Sequence, residues 1–152
     1  MHLAEFIELH QKDILVEWDT FAKTLFVGVD KPHISLLRDH AREMLIELAS
    51  EMEQKETPQQ QKEKSMGAAS PYHPDESAAN VHGMLRHDDG LSFTSLAAEF
   101  RALRASVLRL WLPKIPVVTK QVLLDIVRFN EAIDEALADS IETFETNRDA
   151  VS

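Results

Sequence analysis

The chain has 152 residues, 44% of them hydrophobic and 28% charged, with a formal net charge of −10 and no cysteine. That length suits one domain built round a single sizeable core, and the composition is globular rather than disordered. Lack of cysteine excludes disulfides, thiol catalysis and thiolate metal sites, and the acidic balance repels phosphate backbones, so no nucleic-acid partner is expected.

Four glycines in the whole chain are too few for the many tight turns of a β-rich or α/β protein. No two of them stand close enough for a phosphate-cradling loop. The apolar runs are far shorter than a bilayer span, and the opening MHLAEFIELHQ lacks the basic-then-apolar layout of a secretory signal. A soluble, cytoplasmic chain with no membrane span is the expectation.

The first helix is expected from about Leu3 to Phe26. Leu3, Ile7, Ile14, Trp18, Phe21 and Leu25 recur in steps of three, four and seven, with His10 in the intervening place. Gly28 and the Asp30-Lys31-Pro32 turn end it. A second helix follows from about Ile34 to Gln54, with Leu37, Ala41, Met44, Leu48 and Met52 facing inward and Leu45 beside them. His33, Ser35 and Asp30 all qualify as its cap.

From Lys55 to Asn80 the composition turns polar and proline-bearing, which predicts a long connection, either functional or disordered. Within it Thr57-Pro58 has the form of a cap and first helical residue, predicting a short helix over Gln59 to Met66. Another helix is expected from Asp75 or Ser77 to His87, ended by the turn His87-Asp88-Asp89-Gly90.

Ser92 or Thr94 caps the next helix, which runs to Leu112 and is broken by Pro113 and Pro116. Its apolar stripe is Leu96, Phe100, Leu103, Val107, Leu110 and Trp111. The longest helix starts near Thr119 and reaches about Asn147. Val122, Ile126, Phe129, Ile133, Ala136, Leu137 and Phe144 form its stripe, with Ser140 in line. No segment shows sustained strand alternation. The expected fold is all-α, an antiparallel helical bundle of four long helices plus one or two short ones.

Glu99, Arg101 and Arg104 flank the stripe of the fourth long segment, and a charge beside a core requires a partner. RFNEAIDEAL, Arg128 to Leu137, offers one: Asp134 or Asn130 can accept the fork of Arg104 or Arg101, while Glu99 can receive Arg86 or Arg128. Such a network either fixes helix register or lines a ligand pocket or signal relay. His82 and Arg86 share a helix face, suited to gripping a carboxylate or phosphate or to pairing with an acidic neighbour. His10 is a buried histidine bonded to a neighbouring helix, or a haem or metal ligand. The chain has neither Glu-x-x-His nor His-x-x-x-His, and no nucleophile–base grouping, so no metal, cofactor or catalytic residue is expected.

Three blocks carry a family resemblance. KSMG (Lys64–Gly67), VHGMLRHDDGLSFTSLAAEFRALRASVLRLW (Val81–Trp111) and RFNEAIDEAL (Arg128–Leu137) resemble the RsbRD-type N-terminal sensory domain of bacterial sensor histidine kinases. LLRDHAREMLIELASEM (Leu36–Met52) is similar to that domain's second helix. The resemblance implies a single helical sensory domain over 1–152, with 138–152 leading toward a downstream module. It implies a kinase core in the same longer chain as partner, a homodimer, and a signal relayed through the last helix. The chain itself has no phosphoacceptor segment or ATP-binding motif, so the segment is not expected to be an enzyme. His82, Arg86, Glu99, Arg101, Arg104, Arg128, Asn130 and Asp134 form the expected relay network, with Trp111 and Phe129 as its apolar neighbours. Two other expectations stand beside it: a partner-recruiting stress-signalling scaffold domain, and a haem- or metal-binding sensor using His10, His40 or His82.

Overall fold

The computed structural model describes residues 2–25, 31–54, 59, 62–63, 66 and 93–151, without the side chains of 22, 25, 31–40, 93, 95–96, 144 and 146–151. Five α-helices make up most of the described residues: α1 (Leu3–Leu9), α2 (Gln11–Leu25), α3 (Lys31–Glu53), α4 (Phe93–Trp111) and α5 (Lys120–Val151). A 3-10 turn, Leu112–Lys114, joins the last two, and among the described residues there is no strand. The fold is all-α.

The expected single first helix is two. His10 has φ −117° and ψ 25°, between α1 and α2, although its amide still reaches the Phe6 carbonyl and its carbonyl still accepts from Ile14. The reason is packing. Most of the contacts of α1 are with α3, whereas α2 lies chiefly along α4, and a straight rod cannot follow both. The bend at His10 lets Leu3, Phe6 and Ile7 on one side and Ile14, Leu15 and Trp18 on the other enter one core.

The second helix begins at Lys31, ahead of the expected Ile34, and takes Pro32 into its first turn. Proline is tolerated there because that amide has no helical acceptor to lose. Ala41, Met44, Leu45, Leu48 and Met52 are buried as their spacing requires, with Ala49 added. In α4 the stripe buries Phe100, Leu103, Val107 and Trp111, while Leu110 is half-buried. Pro113 converts the end of α4 into the 3-10 turn, since it has no amide to continue the ladder. In α5 Phe129, Ile133, Ala136 and Ser140 are buried and Val122, Ile126 and Leu137 half-buried.

The neighbours close a ring: α2 touches α3 and α4, and α5 touches both of those on the other side, with α1 lying against α3 and α5. Trp18, Trp111, Phe6 and Phe129 are the largest side chains at its centre, each 2% exposed or less. Burying each such side chain contributes on the order of 2–3 kcal/mol before ordering entropy is charged against it. Among the described residues, no helix is long and apolar enough to cross a membrane.

Several expected features lie outside the described residues: the Gly28–Asp30 turn, the Thr57-Pro58 start, the helix over 75–87 with its closing turn, and the Ser92 cap. The side chains of Leu25, Leu37, Leu96 and Phe144 do too. Within the expected short helix, Gln59, Lys62 and Glu63 are helical, and the Met66 amide donates to the Lys62 carbonyl at 3.1 Å.

Candidate functional site

The expected partnership between α4 and α5 is present in one of its forms. Arg104 donates through its Nη2 to Oδ1 of Asp134. Both groups sit at the edge of the α4–α5 seam, with side chains 35% and 63% exposed, so water screens the pair. Asp134, rather than Asn130, is the acceptor; Asn130 is half-buried on the same helix.

Arg128 does something else. Instead of reaching Glu99 it turns to α3, donating from Nη2 to the carbonyls of Gln54 (2.6 Å) and Glu51 (3.3 Å). A helix C-terminus exposes carbonyls without helical partners and carries partial negative charge, which a guanidinium satisfies on both counts. Glu99, on the shoulder of the α4 stripe, is deeply buried, 2% exposed. His82 and Arg86, and the side chain of His40, lie outside the described residues.

One turn before Arg128, Asp125 treats the opposite kind of helix end. Its Oδ2 accepts from the Leu3 amide at 3.1 Å, the first residue of α1, and its Oδ1 accepts from Gln121 at 2.8 Å. His2, the local cap position, makes no capping side-chain bond; its Nδ1 lies 3.5 Å from Asp125 Oδ2 instead. An anion at a helix N-terminus and a cation at a helix C-terminus therefore sit on one turn of α5, each matched to the dipole it faces. Sequence reasoning missed Asp125. Its only signal was a carboxylate directly before Ile126 and four residues before Phe129, and its acceptor role joins residues 122 positions apart.

Asp125, Arg128 and Asp134 thus tie α5 to α1, α3 and α4 respectively, within ten residues. At about 1.5 Å rise per residue they span some 14 Å of the helix. No family model, curated protein or solved structure matches the chain.

Arg101 joins neither set. It is exposed and lines a groove of about 580 Å³ between α2 and α4, with Glu17, Phe21 and Arg109 among the other walls. Arg109 there lies 3.5 Å from Glu17. Ala98, Ala102 and Ala105 leave room there because they carry only methyls, and Ser106 bonds back to the Ala102 carbonyl at 2.8 Å. Trp111 and Phe129, the expected apolar neighbours, are both in the core, 1% and 0% exposed. The Trp111 indole N–H is buried with no acceptor among the described residues.

His10 is half-buried, its ring stacked on Phe6 with centroids 4.5 Å apart and its Nδ1 3.5 Å from Asp13. Its polar neighbour is thus on α2, one turn along, and not on a separate helix. Among the described residues no group of three or more His, Asp or Glu side chains gathers round a point. What the described side chains can do is hold α5 in one register against three neighbours.

Proposed function

We propose that this chain is a cytoplasmic sensory and regulatory input domain of a two-component sensor histidine kinase. In this reading the helices form an antiparallel bundle, and α5 passes its displacement to a downstream kinase core that works as a dimer. The observation that carries the reading is the set of three ties from Asp125, Arg128 and Asp134 to three different helices. A helix held at three points on one short stretch cannot slide or turn by small steps without losing all of them, so its alternatives are discrete. Two of the three residues belong to the RFNEAID block, and Arg104 to the EFRALR block, that resemble the RsbRD-type sensory domain. A relay needs such a bistable element, since a signal acts only through differential stabilisation of two states.

The test uses the full-length gene product. Incubation with labelled ATP is expected to phosphorylate a histidine beyond this domain, and Arg104→Ala to change that rate at least several-fold while melting is little altered. Absence of any histidine phosphorylation, or an Arg104→Ala protein regulated like wild type, would overturn the proposal. A partner-recruiting scaffold domain has no observation in its favour beyond the groove between α2 and α4.

A further inference from the structure

The groove between α2 and α4 carries a charge that the chain does not neutralise. Arg101, on its wall, is exposed and makes no hydrogen bond or ion pair among the described residues. The positions one turn away on α4 are Ala97, Ala98, Arg104 and Ala105, none of them a carboxylate, and Arg104 is itself held by Asp134. Arg109, eight residues or about 12 Å further along the helix, differs, because Glu17 of α2 lies 3.5 Å from it. One end of the groove is therefore an ion pair and the other a single uncompensated guanidinium. With 26 acidic side chains against 16 basic ones, no shortage of carboxylates explains the difference.

The remaining walls add no hydrogen-bond donor. The hydroxyls of Thr20, Thr24 and Ser106 already donate to main-chain carbonyls of their own helices, those of Val16 (3.2 Å), Phe21 (2.7 Å) and Ala102 (2.8 Å). Ala98, Ala102 and Ala105 offer methyls, and Phe21 the one aromatic ring.

We propose that this groove binds a small organic carboxylate with a flat, apolar body, its carboxylate on Arg101 and its body between Phe21 and the alanine wall of α4. A guanidinium fork matches the two oxygens of a carboxylate, and one uncompensated cation matches one negative charge. A ring makes offset contact with Phe21 and meets no branched side chain on the alanine wall. A volume of about 580 Å³ falls in the range of small-molecule sites, which are mostly apolar with a few fixed polar groups. The chain's net charge of −10 repels anions in general, but screening over about 8–10 Å leaves the field in the groove to its nearest charges. The inference does not rest on the sensory reading: binding in this groove and histidine phosphorylation are read by different measurements.

The experiment titrates the 152-residue chain by calorimetry with naphthoate and with naphthamide, its uncharged counterpart. Naphthoate is expected to saturate one site per chain and to bind at least about tenfold more tightly than naphthamide. Arg101→Gln should abolish that preference, and Lys114→Gln, at another exposed cation, should keep it. Ala105→Phe should weaken both ligands by filling the groove. All three positions are exposed, so circular dichroism and melting should be unchanged in each variant. Equal affinity of the wild-type chain for naphthoate and naphthamide, or no saturable binding at millimolar naphthoate, would overturn the proposal. So would an Arg101→Gln chain that keeps the preference, or an Ala105→Phe chain that binds like wild type.

Discussion

Arg128 on α5 donates to the main-chain carbonyl of Gln54 at 2.6 Å, closing the end of α3 from a helix 74 residues away in sequence. The residues at this point of α3, Glu51 to Gln54, include no basic side chain and no glycine, the usual local means of ending a helix. Arg128 therefore adds a tertiary cap to the local bond from the Gln54 amide to the Glu51 carbonyl (3.2 Å). Asp125 does the same for the N-terminus of α1, where His2 offers no side-chain bond.

Arg128→Ala is expected to destabilise the fold by about 1.5–3 kcal/mol, the range for a hydrogen bond to a charged group whose carbonyl partners are left partly buried. Arg128→Lys should recover part of this, since one ammonium can satisfy the closer carbonyl but lacks the fork. Urea melts give the first number. Amide exchange accelerated at the C-terminal turn of α3, and not in α4, gives the location.

Asp125→Ala removes the acceptor of the Leu3 amide and is expected to cost about 1–2 kcal/mol, as loss of a helix cap does. Asp125→Asn keeps an acceptor but loses the charge facing the helix dipole, so its cost should be smaller. Exchange of the α1 amides should rise in both, because α1 has only seven residues and little helical stability of its own.

The Arg104–Asp134 pair is expected to be weak in isolation. A double-mutant cycle with Arg104→Ala and Asp134→Ala should give a coupling of about 0.2–1 kcal/mol, shrinking as salt is raised. A coupling well above that range would mean that the pair is less hydrated than its exposure indicates.

Trp111→Ala should cost about 3–5 kcal/mol, the range for emptying an aromatic site in a close-packed core. Trp111→Phe should cost much less, under about 2 kcal/mol. It loses volume but also removes an indole N–H that has no acceptor among the described residues, so one penalty offsets part of the other. A Trp111→Phe cost well above about 2 kcal/mol would show that the N–H is satisfied in solution.

Helix content was legible because it depends on local terms. The 3.6-residue recurrence of Phe100, Leu103, Val107 and Trp111 marks both the helix and its buried face. Pro113 marks its end, because a missing amide acts wherever it falls. The Arg104–Asp134 bond was one of the pairings that shoulder positions on two stripes allowed, and spacing along a helix constrains such shoulders closely.

What spacing could not supply was direction across the core. Arg128 and Glu99 both sit beside apolar stripes, yet one serves the end of α3 and the other lies within the interior, since the choice depends on where other helix ends fall. The break at His10 has the same origin. Its neighbours have helical spacing on both sides, and only the need of α1 to follow α3 while α2 follows α4 bends the chain there. Periodicity reports which face of a helix is apolar, a property of the nearest few residues. The partners of its polar groups and the course of its axis are set by segments distant in the chain, and these come within hydrogen-bonding distance only when the core closes.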